Sequence, residues 1–260
     1  MRSSVPGGIR PLGAVAVAFL TLPLVGLALR TPWAEVGTLV ADPLVMQTLR
    51  LSLVASLASL ALATVLGVPL AWLLARTDFP GRRLVRAVAV LPMVLPPVVG
   101  GVALLLAFGR RGLFGQALFA ATGWSLPFTT VGVVVAETFV AMPFLVVTVE
   151  SGLRALDPRF EEAAATLGAS RWTILRTVTL PLTAPSLTAG MALCWARALG
   201  EFGATISFAG NLPGRTQTMP LAVYLELESN PAAAYLLSFV LLVVSIAVLV
   251  GMRDRYLGSR

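Results

Sequence analysis

The chain has no histidine, no lysine and a single cysteine among its 260 residues, and only 12% of them are charged. Each absence closes a class of activity. Without histidine, the paired-His metalloprotease site, the His-based serine triad and most zinc sites lose their central ligand or base. The lone thiol, Cys194, can form neither an internal disulfide nor a paired-cysteine redox centre, and reads as a small buried apolar side chain. No lysine means no GxxxxGK[ST] phosphate-binding loop, so nucleotide energy, where it is used, is bound by another chain. The scarcity of charge excludes a water-coated globule, because soluble domains carry about 25% charged residues. What fills the chain instead is apolar, with 57% hydrophobic residues and a mean hydropathy of +0.89. This is the composition of an integral membrane protein.

Predominantly apolar runs cover 12–29, 51–75, 87–108, 130–149, 184–207 and 232–252. Each is long enough to cross a bilayer's hydrocarbon core as a helix, so six transmembrane helices in one domain, 1–260, are expected. The first run follows Arg2 and Arg10 like a signal peptide, but lacks a convincing small-residue cleavage pattern and reads as a membrane anchor. The stretch 112–127 is broken by Gly115, Gly123 and Pro127, and is expected to be a re-entrant or surface loop on the outside.

Arginine placement sets the orientation, since short cytoplasmic loops retain positive charge. With the N-terminus inside, thirteen of the nineteen arginines fall on inner segments, against Arg30, Arg110, Arg111 and Arg215 outside. Both termini are therefore expected in the cytoplasm. The formal charge of +7 is explained by topology, which leaves no reason to invoke nucleic acid.

The inner connection 150–183 is longer than the others. Asp157 followed by Pro158 is a helix start signal, Glu161 and Glu162 favour the first turn, and Gly168 is a natural stop. Trp172, Ile174, Leu175 and Val178 then make a second short amphipathic stretch expected to end at Leu180 and Pro181. An interfacial helix would carry a basic polar face. This one presents adjacent acids and a run of alanines, a surface suited to docking into a protein cleft.

Glu162, Ala163, Ala164, Gly168, Val178, Leu180 and Pro181 reproduce, with Val for Ile, the pattern EAAxxxGx9IxLP. It resembles the coupling loop of permease subunits in bacterial ABC importers. The resemblance implies a type I importer permease fold in which the EAA helix seats in a socket on a separate ATP-binding subunit. Glu162, Ala163, Ala164 and Gly168 would form the docking unit, and Leu180 and Pro181 would fix its return into the membrane. Three further segments, LPMVLPPVVGG at 91–101, GRRGLFG at 109–115 and ARALGEFGATISFAGNLPGRTQTMPLAVY at 196–224, resemble molybdate/tungstate importers, with sulfate importers as near relatives. Glu137 and Val178 depart from the family pattern.

The resemblance further implies a homodimeric, non-catalytic permease in the bacterial inner membrane. It would work with two cytoplasmic subunits that bind ATP and Mg and with an extracytoplasmic oxyanion-binding protein. No cofactor or metal is expected in this chain. An ion-coupled secondary transporter is the rival from another class, but the two halves show no convincing repeat. A serine protease, suggested only by Ser170 after Gly168 and Ala169, lacks a histidine to activate it.

Within the spans, Pro92, Pro96 and Pro97 cannot sustain a regular helix, which fits either a bend beside a pathway or a kinked packing helix. Gly200, Gly203 and Ala204 make a small face suited to a subunit interface. Arg197 and Glu201 lie four apart and read as an intramembrane ion pair, with Arg197 as a pathway contact for an oxyanion as the alternative. Glu137 is expected to face a watery cavity, with a proton-relay role as the alternative and no function assigned, and Arg50 to snorkel to the interface.

Overall fold

Backbone that passes through lipid must satisfy its hydrogen bonds internally, and this chain does so with helices. In the computed structural model, which describes residues 9–257, every regular element among the described residues is helical. Arg2 and Arg260, which enter the orientation argument, lie outside them, as do the side chains of Arg253 and Arg255.

Helix α1 spans Ile9–Arg30 and buries none of its side chains. A 3-10 turn and the short α2, Val36–Val40, lead to α3, Pro43–Arg76. The start of α3 follows from its sequence: Asp42 Oδ1 accepts the Leu44 N–H at 2.8 Å, and Pro43 sits in the first turn, where its missing N–H loses nothing. Its 34 residues extend about 51 Å, well beyond a hydrocarbon core of about 30 Å. The chain then turns at Gly81, with φ +86°, into α4, Arg82–Val94, and continues through α5, Pro97–Phe108, and α6, Gly115–Thr122. Helix α7 is Thr130–Ala155, α8 is Arg159–Thr166 and α9 is Arg171–Ile174. A π-helical turn, Leu175–Thr179, joins α9 to α10, Leu180–Leu199, and α11, Gly203–Phe208, α12, Met219–Ser229, and α13, Pro231–Leu257, follow.

Helix α7 is the centre of the packing, against α3 and α10, which also touch each other. Lipid is as apolar as leucine, so association rests on close van der Waals fit and on hydrogen bonds between helices. The face α3 turns inward is accordingly small: Ser52, Ala55, Ser56, Ser59, Ala63, Gly67 and Ala71 are buried at three- and four-residue spacing. A Cβ on Gly67 would lie 3.2 Å from Met142 Cγ and 3.3 Å from Val146 Cγ2. One turn-pair away, Thr138 Oγ1 donates to Ser59 Oγ at 3.1 Å.

Among the described residues, four helical stretches are long and apolar enough to cross a membrane: α1, α3, α7 and the continuous run Arg171–Leu199. Of the other expected features, the span 232–252 falls in α13, whose described apolar part Pro231–Ala247 is shorter, and two spans are interrupted. The run 87–108 is interrupted because Leu95 precedes Pro96 and Pro96 precedes Pro97, and both take extended backbone, with ψ 136° and 131°. The run 184–207 stops at Leu199 and resumes at Gly203. The expected outer loop 112–127 contains the short helix α6, closed by Gly123 at φ +69°.

Two of the three small residues of the second break, Gly203 and Ala204, pack within the chain, which corrects the intersubunit role expected of them, whereas Gly200 is exposed. A Cβ on Gly203 would come within 2.9 Å of Pro97 Cβ, and one on Gly101 within 2.9 Å of the Ala204 carbonyl oxygen. The two interrupted segments, α5 and α11, therefore pack on each other. Proline and glycine interruptions at the same level let two short helices approach backbone to backbone.

Candidate functional site

Helix α8 stands between α7 and the 171–199 run, outside the packed spans, and each of its ends is specified locally. At the start, Asp157 Oδ1 accepts the Arg159 N–H at 3.0 Å, and the Pro158 carbonyl accepts from Glu161 and Glu162. At the end, the Gly168 N–H donates to Ala165 O and the Ala169 N–H to Ala164 O, the two bonds of a Schellman cap. Gly168 holds φ +83°, and a Cβ there would meet nothing within 4 Å. The glycine is thus required for its backbone conformation and not for space.

The EAA residues occupy the outer side of this helix. Glu162 and Ala163 are exposed and Ala164 is half-buried. Phe160, 55% exposed, and Leu167, 89% exposed, flank Ala163 at helical spacing and form an apolar ridge with nothing upon it. Leu180 and Pro181 do not end a helix, which corrects the sequence reading. The π turn before them widens the coil where Pro181 has no N–H to give the Thr177 carbonyl, so the helix passes the proline and continues to Leu199. Glu150 likewise belongs to the last turns of α7.

Sequence reasoning missed the residue that fastens α8 to the body. Glu161 turns inward, and its Oε1 accepts from Thr179 Oγ1 at 2.7 Å and from Arg76 Nη2 at 3.2 Å. One carboxylate thereby joins α8, the C-terminus of α3 and the π turn. An open cavity of about 660 Å³ lies beside it, lined by Trp72, Glu162, Arg171 and Trp172 among others. The signal available in sequence was helical phase: adjacent acids point about 100° apart, so only one of Glu161 and Glu162 can face the bundle.

Arg197 and Glu201 sit at the second break. Arg197 Nη2 lies 2.6 Å from Glu201 Oε2, an ion pair by distance although the N–H is not aimed along it as in a directed hydrogen bond. The other oxygen, Glu201 Oε1, accepts the Ala204 N–H at 2.6 Å. Glu201 is 1% exposed. Its carboxylate faces the cation in the last turn of α10 and the free N–H groups that begin α11, the two partners that helix ends offer an anion. Glu137 is buried in α7, 2% exposed, and does not face a watery cavity within the chain; its Oε2 has no hydrogen-bond partner among the described residues. Among the described residues no cluster of His, Cys, Asp and Glu is placed to hold a metal ion.

Comparison with known proteins places this arrangement. Residues 63–258 match the family described as "Binding-protein-dependent transport system inner membrane component". The chain belongs to this family. It is a multi-pass membrane protein of transport systems. The molybdenum transport system permease protein ModB of Mycobacterium tuberculosis is 46% identical over 245 residues, covering 94% of this chain and 92% of that one. ModB of Escherichia coli K12 is 41% identical over 78% of this chain and 90% of its own. The sulfate transport system permease protein CysT of Salmonella typhimurium is 38% identical, over 92% and 89% of the two chains. Among solved structures, a bacterial ABC transporter that imports the acidic polysaccharide alginate superposes with a TM-score of 0.77 at 17% identity, covering 96% of this chain and 94% of that one. The MetNI methionine ABC transporter gives a TM-score of 0.62 at 18% identity, covering 82% and 93%. These two likenesses speak for a shared ABC-permease fold.

Proposed function

We propose that this chain is the permease subunit of a bacterial ATP-driven importer of molybdate, with tungstate as its companion oxyanion. Two copies form the pathway in the inner membrane, each crossing six times through α1, α3, the α4–α5 pair, α7, the 171–208 segment and α13, with both termini in the cytoplasm. Two cytoplasmic ATP-binding subunits hold the ATP and Mg, and an extracytoplasmic binding protein delivers the anion. The permease makes and breaks no covalent bond.

The observation that carries this reading is α8. It is a capped helix outside the spans whose exposed face carries an apolar ridge of Phe160, Ala163 and Leu167 beside Glu162, and whose inner face is bolted to α3 by Glu161. Such a surface requires a protein partner, and the bolt gives the partner's movement a rigid route into the spans. At the second break, Arg197 already faces Glu201 at 2.6 Å, so the chain offers no free guanidinium there for tight anion binding. A passage that holds a dianion weakly releases it readily. Selection among tetrahedral anions belongs instead to the closed pocket of the binding protein.

Sulfate is the second reading, supported by the CysT likeness over 92% of the chain. Reconstitution of the permease with its ATPase and the cognate binding protein tests both. Labelled molybdate should accumulate only with ATP, and excess sulfate should compete poorly. Equal uptake of sulfate would overturn the cargo, and uptake driven by an ion gradient without ATP would overturn the importer.

A further inference from the structure

The exposed surface at the second break does not suit lipid. Ser186, in the first half of α10, packs on Gly152 of α7, close to Glu150, which pairs with Arg86 and Arg154 at the α8 end of the bundle. Rising 1.5 Å per residue from Ser186, α10 carries Arg197 about 17 Å and Gly200 about 21 Å above that charged layer, inside a hydrocarbon core of about 30 Å. Ala196, Arg197 and Gly200 share an outward arc of about 100°. Ala196 and Gly200 are exposed there, and the Arg197 side chain is 27% exposed.

Backbone that leaves a helix at membrane depth needs protein or water around it, and Gly200, where α10 stops, is open. Arg197 decides between the two. A guanidinium has five N–H donors, and Glu201 meets this one at a single nitrogen, with no other acceptor for it among the described residues. An apolar protein face laid over Arg197 would leave its remaining N–H groups unpaired, whereas water would satisfy them.

A groove continues from this face. An open cavity of about 530 Å³ lies over Gly200 and Phe202, walled by the face of α12 that carries Tyr224 and the face of α13 that carries Ser238 and Ser245. The Tyr224 ring packs on Phe202, with centroids 5.2 Å apart, and neither the Tyr224 nor the Ser238 hydroxyl has a hydrogen-bond partner among the described residues. Next to Ser238, Leu237 belongs to a cluster with Leu49 near the start of α3, so the groove runs from the end of the bundle opposite α8 down to the break.

We infer that this groove and the outward face of α10 at Ala196, Arg197 and Gly200 line the water-filled passage taken by the anion. The inference rests on the two-copy pathway proposed above and names its wall on this chain. Arg197, held by Glu201 on one side and hydrated on the other, guides an anion past the break without retaining it.

The test exploits the lone thiol. Cys194 is buried, and Cys194→Ala in the complete importer, reconstituted in vesicles, gives a thiol-free permease. Into it go Ala196→Cys, Ser245→Cys and Gly200→Cys, the last at a site where a Cβ meets nothing nearer than the Ala196 carbonyl at 3.6 Å. The probe is a charged, membrane-impermeant methanethiosulfonate. All three thiols should react about tenfold faster than Val65→Cys, an exposed apolar position at similar depth on α3, because the reactive thiolate forms only in water. Reaction no faster than at Val65→Cys would overturn the passage. So would an oxidant-driven disulfide between two Gly200→Cys copies that resist the probe, which marks a dry contact between subunits. Labelling is read without cargo, so a sulfate cargo would leave it untouched, and unreactive thiols would leave ATP-driven uptake standing.

Discussion

Glu161 and Glu201 are both carboxylates paired with arginine, yet they hold the molecule in different ways. Glu201 is buried at an interruption between two helices, and its partners, Arg197 and the Ala204 N–H, belong to the segments it joins. Glu161 lies at the edge of the bundle, with a side chain 24% exposed, and its partners Arg76 and Thr179 belong to elements far from it in sequence. The first has no water to fall back on, so losing a partner strands a charge in a dry place. The second is partly open to solvent at its carboxylate, so losing a partner loosens a contact between elements more than it endangers the fold. From this difference we propose that Glu201 serves architecture and Glu161 communication.

The largest effect should come from the buried pair. Arg197→Ala leaves Glu201 uncompensated, a change that costs about 3–5 kcal/mol in buried pairs, and should sharply lower both membrane abundance and melting temperature. The geometry further separates two rescues. Arg197→Ala with Glu201→Gln removes the charge yet keeps an acceptor for the Ala204 N–H, whereas Arg197→Ala with Glu201→Ala loses both. The Gln double variant should therefore recover more than the Ala one. A Gln double variant that folds well but moves no molybdate would shift Arg197 from architecture to contact with the anion.

Next in size is the α8 cap. Gly168→Val forces a β-branched residue to φ +83°, where even an ordinary side chain costs about 1–2 kcal/mol, and should unravel the last turn of α8. Co-purification of the ATPase should drop about tenfold while the permease stays folded. Glu162→Lys, reversing a charge on the exposed face, should act in the same direction by repelling the docking surface. Full recovery of the ATPase with both variants would remove α8 from the interface.

The sequence marks these regions unevenly. The borders of α8 are legible in it because Asp157, Pro158 and Gly168 act through neighbouring backbone alone. The passage of the helix through Pro181 is not, because relief of that proline depends on a π turn with no composition of its own. The breaks at Pro96 and Gly200 announce interruptions, but not that α5 and α11 would close on each other. That pairing is a matter of depth and rotation in the bundle. Glu161 is hidden for a related reason: beside Glu162 it is chemically the same, and only the position of Arg76 at the end of another helix decides which acid turns inward.

The smallest predicted effect is the one that most directly tests the role of Glu161. Glu161→Ala removes two hydrogen bonds at a partly exposed site, worth about 1–2 kcal/mol after partial solvent compensation, so abundance and ATPase co-purification should stay near wild type. What should change is the connection between the two activities. With α8 still docked but no longer bolted to Arg76 and Thr179, ATP hydrolysis should continue while molybdate moved per ATP falls severalfold. Glu161→Gln keeps an acceptor for both partners and should recover much of the ratio, which a role in docking would not explain. If Glu161→Ala lowers hydrolysis and uptake together, or releases the ATPase, the two carboxylates differ only in burial and the communicating role of Glu161 fails.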